Sequence, residues 1–180
     1  MKMARTRNTA LCVALGFALA SATAAVADDI EMERSVLVIL EGGLRYEGTV
    51  RDGKMDGEGK LAFPDGRIYE GEFAGGKIEG EGTYSYPDGR SYVGEFRSGM
   101  RNGYGILEFP TGEIYEGNWL DDKKDGQGIV IWPDGEKYVG GFRDGKMHGK
   151  GTYTYSNGRA REGVWSGGKL ERGGTAPTTP

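Results

Sequence analysis

His148 is the only histidine in a chain of 180 residues, and the one cysteine, Cys12, lies in an apolar run near the start. A zinc site draws on several His, Cys or carboxylate ligands, and a Ser-His-Asp set needs a histidine held between two partners. Neither can be assembled around a lone imidazole. Equivalent places of a repeat described below hold Asp56, Glu79, Asn102 and Asp125, so His148 reads as a solvated turn residue. Carboxylates are abundant, and a pair at glycosidase separation (about 5–9 Å) would arise on almost any sheet built from them. A catalytic acid also needs a desolvated pocket that raises its pKa. Glu70, Glu72, Glu95 and Glu116 instead alternate with aromatic residues and glycines, as expected of a solvated strand face that tolerates substitution. Gly-x-Gly recurs without a following helix or Gly-Lys-Ser/Thr, so it is not a phosphate loop. No catalytic, metal or cofactor-binding set emerges, and a hydrolase stands third among the readings.

One cationic series remains. Lys54, Lys77, Lys123, Lys146 and Lys169 keep a 23-residue step, with Met100 breaking the series and Arg101 beside it. Its functional reading is contact with the phosphates of anionic lipid or glycolipid. The plainer reading is solubility and protection of exposed ends, since Asp52, Asp56, Glu79, Asp125 and Asp144 lie close by.

The same step governs the whole chain. Tyr46, Tyr69, Tyr92, Tyr115 and Tyr138 are 23 residues apart, and Arg161 takes the sixth place. With the tyrosine as position one, position three is glycine six times, from Gly48 to Gly163. Position five is Val50, Phe73, Phe96, Trp119, Phe142 and Trp165. Positions twelve and fourteen are glycine from Gly57 and Gly59 to Gly149 and Gly151. Position eighteen is Phe63, Tyr86, Phe109, Trp132 and Tyr155, followed by Pro-Asp-Gly, Pro-Thr-Gly or Ser-Asn-Gly. A period of this length marks a stacked repeat architecture. Positions one to six and twelve to eighteen alternate as half-buried strands do, so each unit reads as a β-hairpin. Positions eight to eleven are expected to form a four-residue loop. Because that number is even, the aromatics share one face, and the inward glycines at three, twelve and fourteen leave room for rings lying over the backbone. The expected fold is all-β: an elongated, single-layer antiparallel sheet of about twelve strands, roughly 55 Å long at ~4.8 Å per strand.

The ends are read differently. Lys2, Arg5 and Arg7, the apolar run Ala10 to Ala20 and Ala25-Val26-Ala27 have the build of a signal peptide over residues 1–27, cleaved before Asp28. Export to the periplasm or outside a bacterial cell is the expectation. Cleavage would discard Cys12 and take the net charge from −4 to −7, which disfavours nucleic acid. Residues 28–42 form a capping region in which Val36, Val38 and Leu40 repeat positions fourteen, sixteen and eighteen. Repeats are expected over 43–171, five full and one partial, and a disordered tail over 172–180.

The phrase YEGEFAGGKIEGEGTYSYPDGRSYVGEF, Tyr69 to Phe96, resembles MORN repeats (membrane occupation and recognition nexus), and the resemblance covers about Gly43 to Lys169. It departs from the motif at Asp122, Arg161 and Ser156. The family includes junctophilins, plant phosphatidylinositol phosphate kinases, a histone lysine methyltransferase and parasite cytoskeletal scaffolds. The resemblance implies a twisted sheet of hairpins that scaffolds, dimerises or touches anionic lipid, with catalysis in other domains. The expected function is therefore non-catalytic protein association in the bacterial envelope, without a cofactor; the alternative is anionic lipid or glycolipid recognition by Lys54, Lys77, Arg101, Lys123, Lys146 and Lys169. A partner or homodimer surface is expected where outward positions turn apolar in repeats three to five: Tyr104, Ile106, Leu120, Ile129, Ile131 and Val139. Position counting sets Ile131 opposite Val139, Ile106 opposite Asn118, and Tyr104 near Leu120, with Ile129 between.

Overall fold

Each repeat turns on two residues that hold positive φ. Asp52-Gly53, Gly75-Gly76, Ser98-Gly99, Asp121-Asp122, Asp144-Gly145 and Gly167-Gly168 all do so. Two such residues in succession make the tight hairpin whose twist matches that of the flanking strands. Asp tolerates the left-handed region better than most residues, which lets Asp122 stand at φ 67° where the other repeats have glycine. The computed structural model describes residues 36–175. Its strands are β1 Val36–Ile39, β2 Arg45–Arg51, β3 Lys54–Ala62, β4 Ile68–Ala74, β5 Lys77–Ser85, β6 Ser91–Arg97 and β7 Met100–Glu108. There follow β8 Ile114–Leu120, β9 Lys123–Ile131, β10 Lys137–Arg143, β11 Lys146–Thr154, β12 Ala160–Ser166 and β13 Lys169–Thr175. They pair antiparallel in chain order as one open sheet of 13 strands.

The turn is shorter than expected, since the second strand of each hairpin resumes at position nine. Two residues replace four, both even, so the faces stand. The surplus is taken up by a bulge: β2 and β3 pair Gly48↔Gly59 and then Val50↔Met55, so the second strand spends two more residues than the first. The glycine at position twelve sits in that bulge with positive φ, at Gly57, Gly80, Gly103, Gly126 and Gly149. It is needed for its backbone conformation rather than as a seat for a ring.

The rings take the other two glycines. A Cβ on Gly48 would lie 2.6 Å from the Gly59 Cα and 2.5 Å from the Tyr46 hydroxyl, and a Cβ on Gly59 would enter the Tyr46 ring. The same overlap recurs for Tyr69, Tyr92, Tyr115 and Tyr138. Each of these five phenols donates to the carbonyl of position four: Thr49, Glu72, Glu95, Asn118 and Gly141, at 2.7–3.1 Å. All five side chains are fully buried. Edge-to-face contacts link them along the sheet: Tyr46 to Phe73 and Tyr92 to Trp119, then Tyr115 to Phe142 and Tyr138 to Trp165, with centroids 5.1–5.4 Å apart. A single layer thus makes its own core on one face.

Both ends depart from the plain repeat. Val36 pairs with Gly48 and Val38 with Tyr46, so β1 takes the place of a second hairpin strand. At the other end β13 runs to Thr175, paired with β12 from Ser166↔Lys169 to Arg161↔Thr175. The expected tail from residue 172 is corrected at its start. Leu170, lying against Gly163, stands in for the tyrosine that Arg161 replaces. Residues 1–27 and 28–35, read as leader and start of the cap, and the remaining tail, 176–180, lie outside the described residues.

Candidate functional site

The face opposite the rings carries the even positions of the first strands and the odd positions of the second. Pairing sets Glu47 against Lys60, Lys60 against Glu70, and Glu70 against Thr83. The same row continues as Thr83↔Val93, Val93↔Ile106, Ile106↔Glu116, Glu116↔Ile129 and Ile129↔Val139. The charged row therefore turns largely apolar, with Val93, Ile106, Ile129 and Val139 on four strands and Glu116 on the strand between Ile106 and Ile129. Val93 is 52% and Val139 41% exposed, while Ile106 and Ile129 are half-buried between them. Val93, which alternation at position two could have revealed, begins the apolar stretch.

The expected neighbours within this patch are corrected. Ile131 pairs with Ile114 and Lys137, Ile106 with Val93 and Glu116, and Tyr104 with Asn118. The link between hairpins holds five residues, Phe63 to Arg67 in the first, closed by Phe63 N donating to Arg67 O at 2.9 Å. Position sixteen therefore meets the next tyrosine, as in Leu61↔Tyr69, where position eighteen was expected. A slip of two keeps every side chain on its face and moves every neighbour along. Leu120 is half-exposed beside a hairpin turn, paired with Lys123, and lies apart from the row. Glu116 sits within the row, and its Oε1 accepts from the Tyr104 hydroxyl at 2.5 Å, which raises the Tyr104 phenol above its ordinary value.

The carboxylates are occupied. Glu70 pairs with Lys60. Glu72 Oε1 accepts from Glu81 N at 3.0 Å and Glu95 Oε1 from Tyr104 N at 2.8 Å, across the bulge. Glu72 is exposed on the solvated face as expected, and it also serves as an acceptor there. Position eleven is engaged as well. Asp56 accepts from Gly75 N, Glu79 from Ser98 N and Asp125 from Asp144 N, each reaching the next hairpin turn at 2.8–3.3 Å. Asn102 reaches Asp121 at 3.2 Å. His148 is the fifth member of this series and half-buried, not a freely solvated turn residue. Among the described residues no cluster of three or more His, Cys, Asp or Glu could hold a metal ion.

The lysine series lies along one edge. Lys54, Lys77, Lys123, Lys146 and Lys169 each open the second strand of a hairpin and are exposed. Lys123 pairs with Asp144 at 2.7 Å. Arg101 does not join them. Its Nε lies 2.9 Å from Asp122 Oδ1 and its guanidinium 4.2 Å from the Trp119 ring centroid, on the inner face. This contact also anchors the unusual Asp121-Asp122 turn. Lys124 lies inward likewise, 4.6 Å from the centre of the Tyr115 ring, and burial lowers its ammonium pKa despite Glu113 at 3.8 Å.

The sequence profile of the MORN repeat matches residues 46–66, 69–89, 92–114, 115–137 and 138–158, more than half of the chain. The chain belongs to the MORN-repeat family. Its hairpins and its Tyr-x-Gly seats are those of MORN repeats, which serve as binding and scaffold units. Among solved structures the MORN sheet is similar to the TCP domain of SAS-4 from Drosophila melanogaster, solved in complex with a proline-rich motif of Ana2. The identity is 17%, covering 81% of this chain and 86% of that one, with a TM-score of 0.49. It is also similar to the TCP10 domain of CPAP from Danio rerio, at 18% identity over 81% of each chain, with a TM-score of 0.29. No curated protein matches the chain significantly.

Proposed function

We propose that this MORN protein is a non-catalytic binding module, exported to the bacterial envelope, which holds a protein partner on the outer face of repeats three to five. One observation carries the reading: a row across five strands gathers Val93, Ile106, Ile129 and Val139, broken by Glu116 alone, on a face that is charged on its N-terminal side. Contiguous exposed apolar surface on a small protein marks an interface more often than it serves the fold. The ring core lies on the opposite face, so these residues are free for a partner. Glu116, within the row, gives that partner a polar contact to register on.

Ile106→Lys with Ile129→Lys tests it. Far-ultraviolet circular dichroism is expected to stay unchanged while a complex isolated from the producing cell is lost. Retention of the complex by the folded double variant would refute the reading.

A second reading rests on the lysine edge. Lys54, Lys77, Lys146 and Lys169 are exposed on one side of the sheet, and none forms an ion pair among the described residues. Anionic vesicles would gain about 1 kcal/mol per lysine at the surface. Sedimentation with phosphatidylglycerol vesicles that disappears when the four lysines become glutamine would support this reading. No sedimentation at low salt would dismiss it.

A further inference from the structure

The outer-face bulge is filled in four repeats and open in the fifth. Position four supplies Thr49, Glu72, Glu95 and Asn118, whose side chains fold over the glycine at position twelve. A Cβ on Gly57, Gly80, Gly103 or Gly126 would stand 2.5–2.9 Å from them. In repeats two and three the filling group is a carboxylate bonded to a backbone amide, that of Glu81 or Tyr104. Repeat five has Gly141 at position four, buried and closed by the His148 carbonyl oxygen, which a Cβ there would overlap. A Cβ on Gly149 would meet nothing within 4 Å, so the space opens over Gly149. What remains is a shallow pocket of ≈ 470 Å³, whose polar walls include Asp125, Gln127, Arg143, His148 and Lys150.

Lys150 holds the place of Glu81 and Tyr104 in the repeat. The register passes from Gly140↔Gly151 to Phe142↔Met147, so Lys150 has no partner on β10, just as Glu81 has none on β4. We propose that this pocket binds a carboxylate from outside the chain, in the place where repeats two and three seat their own glutamates. The Lys150 amide donates to it as the Glu81 and Tyr104 amides donate to theirs. Arg143 and Lys150 supply the positive charge that a glutamate in this place does without, and neither forms an ion pair among the described residues. His148 adds an N–H donor. Asp125 is the one acid in the wall, and its Oδ2 accepts from Asp144 N. The ligand is an aspartyl or glutamyl side chain of a polypeptide, or a small free dicarboxylate; the two share this chemistry. The site does not depend on the apolar row being an interface.

Amide spectra of the ¹⁵N-labelled full chain test it, with glutarate and a capped Ala-Glu-Ala peptide as titrants. The Lys150 amide is expected to shift saturably with both. The tighter of the two identifies the source, and either order upholds the site. Arg143→Ala with Lys150→Ala is expected to weaken binding about tenfold, the size of one charge-assisted hydrogen bond. Glu95→Gly is expected to open a second site that reports at the Tyr104 amide, and this variant leaves repeat five untouched. No shift at Lys150, an equal shift with sulfate, or an equal shift with capped Ala-Gln-Ala would overturn the proposal.

Discussion

Tyr46, Tyr69, Tyr92, Tyr115 and Tyr138 each cover two glycines, donate to a carbonyl of their own strand and meet an aromatic edge from the next repeat. Gly71→Val places a Cβ 2.5 Å from Gly82 Cα and 2.7 Å from the Tyr69 hydroxyl, and is expected to cost ~1–3 kcal/mol in thermal or denaturant unfolding. Glu72→Ala removes the acceptor of the Glu81 amide at an exposed site, and is expected to cost no more than about 1 kcal/mol. Burial raises the phenols of all five tyrosines, that of Tyr138 to about 12. The unfolded chain loses its phenolic protons near pH 10 while the folded sheet keeps them. The stabilisation is therefore whole below pH 10 and is lost as pH rises through the folded values. Melting temperature is expected to fall steeply between pH 10 and 12, with the phenolate absorbance at 295 nm appearing together with unfolding. Phenolate appearing while the sheet stays intact would contradict the buried seats.

At the scale of the element, the carboxylates at position eleven, Asp56, Glu79 and Asp125, fasten their hairpins to the turn of the next by accepting from its backbone, and Asn102 does so by donating to Asp121. Glu79→Ala is expected to speed hydrogen exchange at Ser98 and leave the turn at Asp52-Gly53 unchanged. Equal exchange at both turns would deny the clasp. The faces of the strands were legible in the chain because aromatic, glycine and acid alternate without a slip around Tyr69 and Phe73. The register was not. A four-residue loop and a two-residue turn followed by a bulge have the same parity, and only the paired positive φ at sites such as Asp52 and Gly53 separates them. For the same reason the patch residues were found while their neighbours were displaced by two. Arg101 was misplaced because a cation one residue past the edge points inward onto Trp119. The pocket of repeat five was not visible either, since Gly141 acquires meaning only once Glu72 and Glu95 are seen filling the equivalent space.

The whole molecule is a row of units, each pairing with its neighbours alone, so stability is expected to behave as a sum over repeats and junctions. Removing residues 92–114 joins Ser91 to Tyr115 in register, and is expected to leave a folded sheet about 9.6 Å shorter. That deletion also removes Val93 and Ile106 from the apolar row while sparing Ile129 and Val139. A partner seated on the row would be captured by a photo-reactive residue placed at single positions of the outer face in the producing cell. Replacement of Val93, Ile129 or Val139 is expected to give one discrete crosslinked species, while replacement of Glu47 or Glu70, on the same face and in the same row, gives none. Crosslinking that is equal at the charged and apolar ends, or absent at both, would contradict the account.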